Sequence, residues 1–599
     1  MPLSIKYTDD SLARISEHVL LLKGSTNIGV LAVRGRQVWA IVESARMPYD
    51  IRIPLEDGEQ LPTIGGIKAE NGTKVAVLVT DWPRRSAEPL GKIVDVLGLP
   101  GENSTEMHAI LAEYGLPYNY PTEVEQAARQ IDDGITAEEV ARRHDMREVC
   151  TFTIDPRDAK DFDDALSVRR LDDDKWEIGV HIADVTHYVK PDTLIDREGQ
   201  QRATSVYLVD RTIPMLPEHL SNGICSLRPN EDKLCFSVVF VLDNEAKVLS
   251  YTIEKTVIRS NRRFTYEEAQ AIIEAGSGEL ADELLTLSRL AQLMRRRRFE
   301  QGAILFDREE VKFEIDEKGH PISVYFKQSK EAHQLIEEFM LLANRTVAER
   351  IGRPGRGRKA KTFVYRVHDM PFPDRIESFS RFIQRFGYTL KTTGKRDAIS
   401  NSLNHLLNDV KGRPEQHLVE TLAVRSMARA IYTTVNIGHY GLAFNYYTHF
   451  TSPIRRYPDM MVHRLLERYL LQGKPSVEEQ ATEDLCQHCS DREQLAANAE
   501  RASIKYKQVE FMNDRIGQTF DGYISGVTEW GIYVELSDSK CEGMVPIRDL
   551  GDNDYFIYDP ENYCIEGHRT HRRFQLGDAV RVRVARADLQ RKQLDFTLV

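Results

Sequence analysis

Five aspartates crowd into thirteen residues, Thr153-Ile-Asp-Pro-Arg-Asp-Ala-Lys-Asp-Phe-Asp-Asp-Ala165. Like charges at this density repel one another unless cations neutralise them. Carboxylate oxygens are hard ligands suited to Mg2+ or Mn2+, and no His/Cys set accompanies them to favour zinc. Pro156 and the short polar run after it predict a loop following an extended segment. Such a loop can fold Asp155 back toward Asp161, Asp163 and Asp164. Four carboxylates on one site can hold one or two Mg2+ ions against a scissile phosphate. A calcium loop of the EF-hand kind would need glycine at its sixth position, where counting from Asp155 places Lys160. The bland alternative is a solvated acidic turn. These residues alone leave the two readings level.

Other residues could meet an anionic substrate. Arg455 and Arg456 sit in Thr451-Ser-Pro-Ile-Arg-Arg-Tyr457. A guanidinium is always charged and clamps a phosphate through two donors, whereas the alternative is a salt bridge at a helix start. Glu337 and Glu338 fall in a predicted helix, where neighbours point about 100° apart, so only one faces a given cavity. Cys486-Gln-His-Cys489 resembles half a zinc site but has no second half and lies in a predicted helix. The run Arg295 to Arg298 and the basic loop Arg353 to Lys361 read as solvated faces, the second also able to guide an anionic strand at a channel mouth.

The elements that must position these groups are legible in outline. At 599 residues the chain is too long for one core. Strands at Gly29–Gly35, Val38–Val42 and Lys74–Thr80 predict a small β-barrel within residues 1–100. Residues 101–148 predict a helical connector, with capping boxes at Thr122–Glu125 and Thr136–Glu139. A mixed α/β block fills 149–510, strand-rich early (Trp176–Ala183) and helix-rich late (His333–Ile351, Glu415–Val435). Short strands return over 515–599 as a second barrel. The fold class is therefore multidomain α+β, a central α/β block flanked by OB-type barrels. No apolar stretch reaches the roughly 20 residues that span a bilayer, and MPLSIKYTDD is unlike a secretory signal. Seven scattered cysteines make no disulfide framework, so a cytoplasmic setting is expected. A net charge of −12 argues against indiscriminate coating of nucleic acid, while leaving room for a locally basic channel.

The aspartate segment resembles the active-site motif of the ribonuclease II/R (RNB) family. The similarity continues through His181-Ile-Ala-Asp-Val-Thr-His-Tyr-Val189, Ala203-Thr-Ser-Val-Tyr207, Ile213-Pro-Met-Leu-Pro217, Ser221-Asn-Gly-Ile-Cys-Ser-Leu227 and Thr448-His-Phe-Thr-Ser-Pro-Ile-Arg-Arg-Tyr-Pro-Asp459. It covers residues 25–599 and is closer to ribonuclease R than to ribonuclease II. The resemblance implies processive 3′→5′ hydrolysis of single-stranded RNA to nucleoside 5′-monophosphates, by a monomer using Mg2+ or Mn2+. It implies an RNB catalytic domain between a cold-shock-like N-terminal barrel and a C-terminal S1 barrel. By motif position Asp155, Asp161, Asp163 and Asp164 are the metal-site carboxylates, Asp158 falling outside the four, and Arg455 is the catalytic arginine alongside Asp163. Arg456 is structural or a phosphate contact. Tyr207 and Phe306 match an aromatic pair that stacks on terminal bases, and Tyr266 with one of Glu337 and Glu338 matches contacts to the ribose 2′-OH. In the C-terminal barrel Phe520, Trp530 and Tyr533 match exposed aromatics that stack on single-stranded bases, Trp530 replacing the usual phenylalanine. Fuller ribonuclease R chains carry an N-terminal helical domain, two cold-shock barrels and a lysine-rich tail; one front barrel is legible here. A non-catalytic RNA-binding regulator on this fold would be expected to lack one of the four aspartates or Arg455, and all five are present. A DNA exonuclease with the same metal chemistry is the other rival.

Overall fold

The computed structural model describes residues 25–599 apart from 43–46, 57–58, 83–87, 173, 305–309, 356, 358, 395, 414, 552–553 and 561. The front barrel closes in the order β1 (Thr26–Arg34), β2 (Gln37–Ile41), β3 (Ile51–Ile53), β5 (Leu90–Gly98), β4 (Lys74–Asp81). Alternation drives it: Ile51 and Ile53 point inward and Arg52 outward. Gly91 lets the strands close, since a Cβ there would lie 2.5 Å from the side chains of Ile51 and Val77.

The connector contains α1 (Asn103–Glu113), α2 (Thr122–Arg129) and α3 (Ala137–Ala141). Thr136 caps α3, its hydroxyl accepting from the Glu139 amide at 3.2 Å, which is half of the expected box; the Glu139 carboxylate pairs with Arg143 at 2.7 Å. The box expected at Thr122 does not form. The Pro121 carbonyl already accepts from the Val124 and Glu125 amides, so Thr122 is the first helical residue, and Glu125 pairs with Arg129. The last connector residues are not helical: His144–Asp145 add a short parallel strand to the edge of the next sheet.

That seven-stranded sheet is the frame of the catalytic block. Its order is β11 (Arg262–Thr265), β6 (Thr151–Asp155), β7 (Asp164–Asp172), β8 (Lys175–Ala183), β9 (Asp232–Asp243), β10 (Val248–Arg259), then His144–Asp145. Its inner strands are covered on both faces and so read as continuous apolar runs; Ile178 to Ala183 are all buried. Helices α4 (Tyr266–Ala275), α5 (Ala281–Glu300) and α6 (Glu331–Gly352) pack onto it, with Phe339, Ala343 and Val347 joining Phe236, Val238 and Phe240 in one core. The helix expected over 415–435 is interrupted. Helix α7 (Gln416–Ser426) stops short, and Ala430–Thr433 forms β12 against Tyr365–His368. Thr433 and Thr434 instead give their hydroxyls to Glu483, a tertiary contact that overrides local propensity.

Helix α8 (Tyr457–Leu466) and the long α9 (Glu479–Asn513) lead to the second barrel. Its order is β13 (Thr519–Thr528), β14 (Gly531–Leu536), β15 (Glu542–Pro546), β20 (Gln593–Leu598), β19 (Ala579–Asp588), with a side sheet of β16 (Phe556–Asp559), β17 (Cys564–Gly567) and β18 (Arg573–Gln575). The barrel core is continuous with Val509 and Met512 of α9 and with Phe313. Cys486 and Cys489 are buried in the catalytic core. Among the described residues no helix is long and apolar enough to cross a membrane.

Candidate active site

The aspartate loop connects two neighbouring strands. Strand β6, buried along its whole length, delivers Asp155 at its end, and Asp164 opens β7 opposite Ile182. Between them the backbone is held at nearly every step. Arg263 donates to the Pro156 and Arg157 carbonyls at 2.5 and 3.0 Å. The Ser226 hydroxyl donates to the Lys160 carbonyl (2.7 Å) and accepts from the Phe162 amide (3.0 Å), gripping the chain on both sides of Asp161. The Leu227 and Ala183 amides take the Phe162 and Asp163 carbonyls. A loop with its backbone satisfied in this way can aim side chains without collapsing onto them.

For the four carboxylates, burial outweighs such hydrogen bonds as they have. Burial raises all of them: Asp155 to about 7, with Asp164 adding to the push; Asp164 to about 6; Asp161 upward; and Asp163 well above the usual range. Arg455 pulls Asp161, Asp163 and Asp164 the other way, but desolvation wins. Asp163 Oδ1 accepts from the Ile454 amide at 2.8 Å, and Arg455 Nε stands 3.4 Å from Oδ2. Asp163 Oδ2 and Asp155 Oδ2 are buried without a hydrogen bond. A buried anion oxygen without a hydrogen bond is costly, and a hard cation is a partner its charge and chemistry suit. Among the described residues no group of three or more His, Cys, Asp or Glu side chains is drawn together closely enough to hold a metal ion.

Around this cluster the structure brings Arg455, Tyr207 and Tyr266 from among the expected residues. Residues 203–205 zip onto 455–457: Ser205 N–H donates to the Arg455 carbonyl at 3.0 Å and Tyr457 N–H to the Ala203 carbonyl at 2.8 Å. Two residues on, the half-exposed Tyr207 lies beside Arg455, and burial pushes its phenol up to about 12. Tyr266 is carried by the strand neighbour of Asp155: Thr265 pairs with Asp155 and caps α4 through a capping box with Glu268. Its ring stacks on His333 with centroids 4.0 Å apart and planes at 6°. Arg456 turns away, donating to buried Asp459 at 2.7 Å, and Asp459 also takes the Ser452 amide. Asp158 lies outside the four but close enough to Asp161 to add to the upward push on its carboxyl. Phe306 lies outside the described residues.

The comparisons with known proteins now bear on this geometry. The RNB domain matches residues 143–472, the cold shock domain 39–121 and the S1 RNA binding domain 513–598. Ribonuclease R of Aquifex aeolicus is 38% identical over 540 residues, spanning 89% of this chain and 76% of that protein. Ribonuclease R of Thermotoga maritima is 37% identical over 586 residues, spanning 96% and 80%. The chain belongs to the ribonuclease R family. A solved structure, Mycoplasma genitalium RNase R in complex with ribose methylated single-stranded RNA, aligns with a TM-score of 0.88 at 25% identity, covering 96% of this chain and 90% of that one. The barrel–RNB–barrel plan expected from the sequence is thus the ribonuclease R plan, and the enzyme class is that of a 3′→5′ exoribonuclease acting on RNA.

Several residues of this ribonuclease R-family chain fall where the sequence did not point. The Arg295–Arg298 run is not a solvated face: Arg298 is buried against Glu338 at 2.5 Å and reaches Glu337 at 3.1 Å, while Arg295 touches both. Glu338 is buried in this network, whereas Glu337 keeps 42% of its side chain exposed. In the S1 barrel Trp530 is 68% exposed at the β13–β14 turn, and Tyr533 faces outward. Gly531 makes that turn possible: its φ is +151°, and a Cβ would sit 2.2 Å from the Val545 carbonyl oxygen. Phe520, expected as an exposed stacker, packs instead against the barrel core, because it shares the inward phase of Gly522 and Ile524. Tyr523, on the outward phase, is 41% exposed. The period-two pattern of β13 would have made that exchange. His333 carried no signal in sequence and Ser226 only its place in the Ser221–Leu227 motif, since their roles exist only through long-range contacts.

Proposed function

We propose that this chain hydrolyses single-stranded RNA processively from the 3′ end to nucleoside 5′-monophosphates, with Mg2+ or Mn2+ held by Asp155, Asp161, Asp163 and Asp164. The buried cluster of carboxylates carries this reading, with Asp155 Oδ2 left without a hydrogen bond and Asp163 Oδ2 met by Arg455 at 3.4 Å. Bound there, the ion would activate the attacking water and neutralise charge on the phosphate in transit. The protein's own groups do the rest. Ile454 orients Asp163. Arg455 holds a permanent cation beside the same carboxylate, where it can stabilise charge on a phosphoryl group. Tyr207 offers a ring for base stacking next to Arg455, with Phe306 proposed as its partner. Tyr266, its hydroxyl in the field of Asp164 and Asp155, and the exposed Glu337 are assigned to the ribose 2′-OH. Glu338 and Arg456 are assigned to support, through Arg298 and Asp459. Trp530, Tyr533 and Tyr523 are the stacking face of the S1 barrel. Seven unpaired cysteines fit a reducing cytoplasm, and a monomer contains every residue assigned.

Matched RNA and DNA oligomers incubated with Mg2+, with and without EDTA, test the reading. RNA should shorten to 5′-monophosphates while DNA persists, and EDTA should stop the reaction. Equal loss of DNA, or undiminished cleavage in EDTA, would overturn it.

A further inference from the structure

One surface of the S1 barrel is used by nothing above. The turn joining β17 to β18, His568-Arg-Thr-His-Arg-Arg573, is exposed at every residue. From Gly567 to Gly577 it holds three arginines and two histidines and no acid, within a chain of net charge −12. The turn is built rather than loose. Asp554 accepts the Arg569 and Thr570 amides at 2.9 Å each, as well as the Thr570 hydroxyl. His571 N–H donates to Gly567 and Gly567 N–H to Arg572 across the turn. At the other end of the hairpin Tyr563 packs edge-on against Phe382, Asn562 accepts from Arg385, and Leu576 enters the helical core beside Leu418. The hairpin is therefore anchored to the catalytic block and projects its basic tip into solvent. Tyr555 lies alongside, 74% exposed, its carbonyl taking the His568 amide at 2.8 Å.

The two acids beside the tip are turned to partners other than its guanidiniums. Asp554 is occupied by the turn's own donors, and Glu566 faces His571 at 3.5 Å. Arg572 lies 4.7 Å over the Phe574 ring, which leaves its edge donors outward. Three exposed guanidiniums beside an exposed aromatic ring match the phosphates and bases of a single strand. We propose that this tip is a separate RNA-backbone site, contacting phosphates of a strand whose 3′ end is already in the catalytic channel. The inference rests on the RNA reading above and adds a contact outside the channel and outside the Trp530 face.

The test is a salt titration of affinity in EDTA, so that the strand stays whole. Wild type and the triple variant R569Q/R572Q/R573Q would each bind a long single-stranded RNA and an oligomer only long enough to fill the channel. Each lost phosphate contact lowers the slope of log affinity against log salt by about 0.7, so three should lower it by about 2 for the long strand. The short oligomer should show no change, and R569K/R572K/R573K should restore the slope. An unchanged slope, with any loss confined to an acidic protein partner, would overturn the proposal. An equal fall for the short oligomer would also overturn it, placing the tip in the channel. Failure of wild type to bind either RNA would count instead against the functional reading itself.

Discussion

Asp163 meets the Ile454 amide with one oxygen and the Arg455 guanidinium with the other, so its loss should separate chemistry from binding. Asparagine keeps the shape and the Oδ1 acceptor but removes a charge from the cation site. Asp163→Asn should lower single-turnover cleavage about a thousandfold or more, while affinity for single-stranded RNA stays within a few-fold. Residual cleavage near a tenth of the normal rate would make Asp163 peripheral. Asp155 offers a test through stability. Its folded pKa of about 7 lies above the ordinary value of 3.8, so the folded state keeps a proton that the unfolded chain releases. Stability from that proton is full below the unfolded value and is lost as pH rises through the folded one. In EDTA the wild type should therefore weaken between pH 5 and 8 relative to Asp155→Asn, by on the order of 1–3 kcal/mol. Melting curves should show the variant further ahead at pH 8 than at pH 5; an equal gap at both would refute the raised pKa. The aspartates and arginines could be picked out of the sequence because their types and spacing carry the chemistry, and Tyr207 only through the family motif that holds it. What singles out Arg455 over Arg456 is a long-range partner, Asp163 for one and Asp459 for the other.

At the scale of elements, the site depends on how strands and turns from distant stretches grip the aspartate loop. Ser226 touches no substrate, yet its hydroxyl fixes the backbone on both sides of Asp161. Ser226→Ala should weaken Mn2+ binding about 10–100-fold, as removal of groups that orient metal ligands typically does. RNA affinity in EDTA should not move, and Ser226→Thr should recover part of the loss. Unaltered Mn2+ affinity would show that the loop holds its shape without the clamp. The sequence marked the strands that bear the site, since continuous apolar runs such as Ile178–Ala183 have few other destinations. It misjudged 415–435, where an apolar helical pattern conceals a strand that pairs with Tyr365–His368 and is tied down by Glu483. It also misjudged the four-arginine run, because a charge run says nothing of the glutamates on the next helix. Periodicity is local, and these partners are not.

For the whole molecule, the barrels and the catalytic block share cores. The S1 barrel closes over Val509 and Met512 of α9 and Phe313 of the block, so deleting residues 515–599 would expose apolar surface as well as remove RNA contacts. Point changes are the cleaner probe. Trp530→Ala should weaken binding of a long single strand by about 1–3 kcal/mol, the worth of one stacked base, with single-turnover cleavage of bound RNA unchanged. A fall in that rate instead would place Trp530 in the reaction. Barrel, block and barrel were legible because strand and helix periods differ over long stretches; the shared cores were not, since each segment's apolar face reads the same whichever neighbour covers it. The central claim is that a free 3′ end must enter the site at Asp155–Asp164 and be cut from that end. Linear and circular RNAs of one sequence, incubated side by side with Mg2+, test it most directly. The linear RNA, labelled at its 5′ end, should be consumed to a short labelled remnant while the circle stays intact. Opening of the circle, or release of the 5′ label at the outset, would contradict the account.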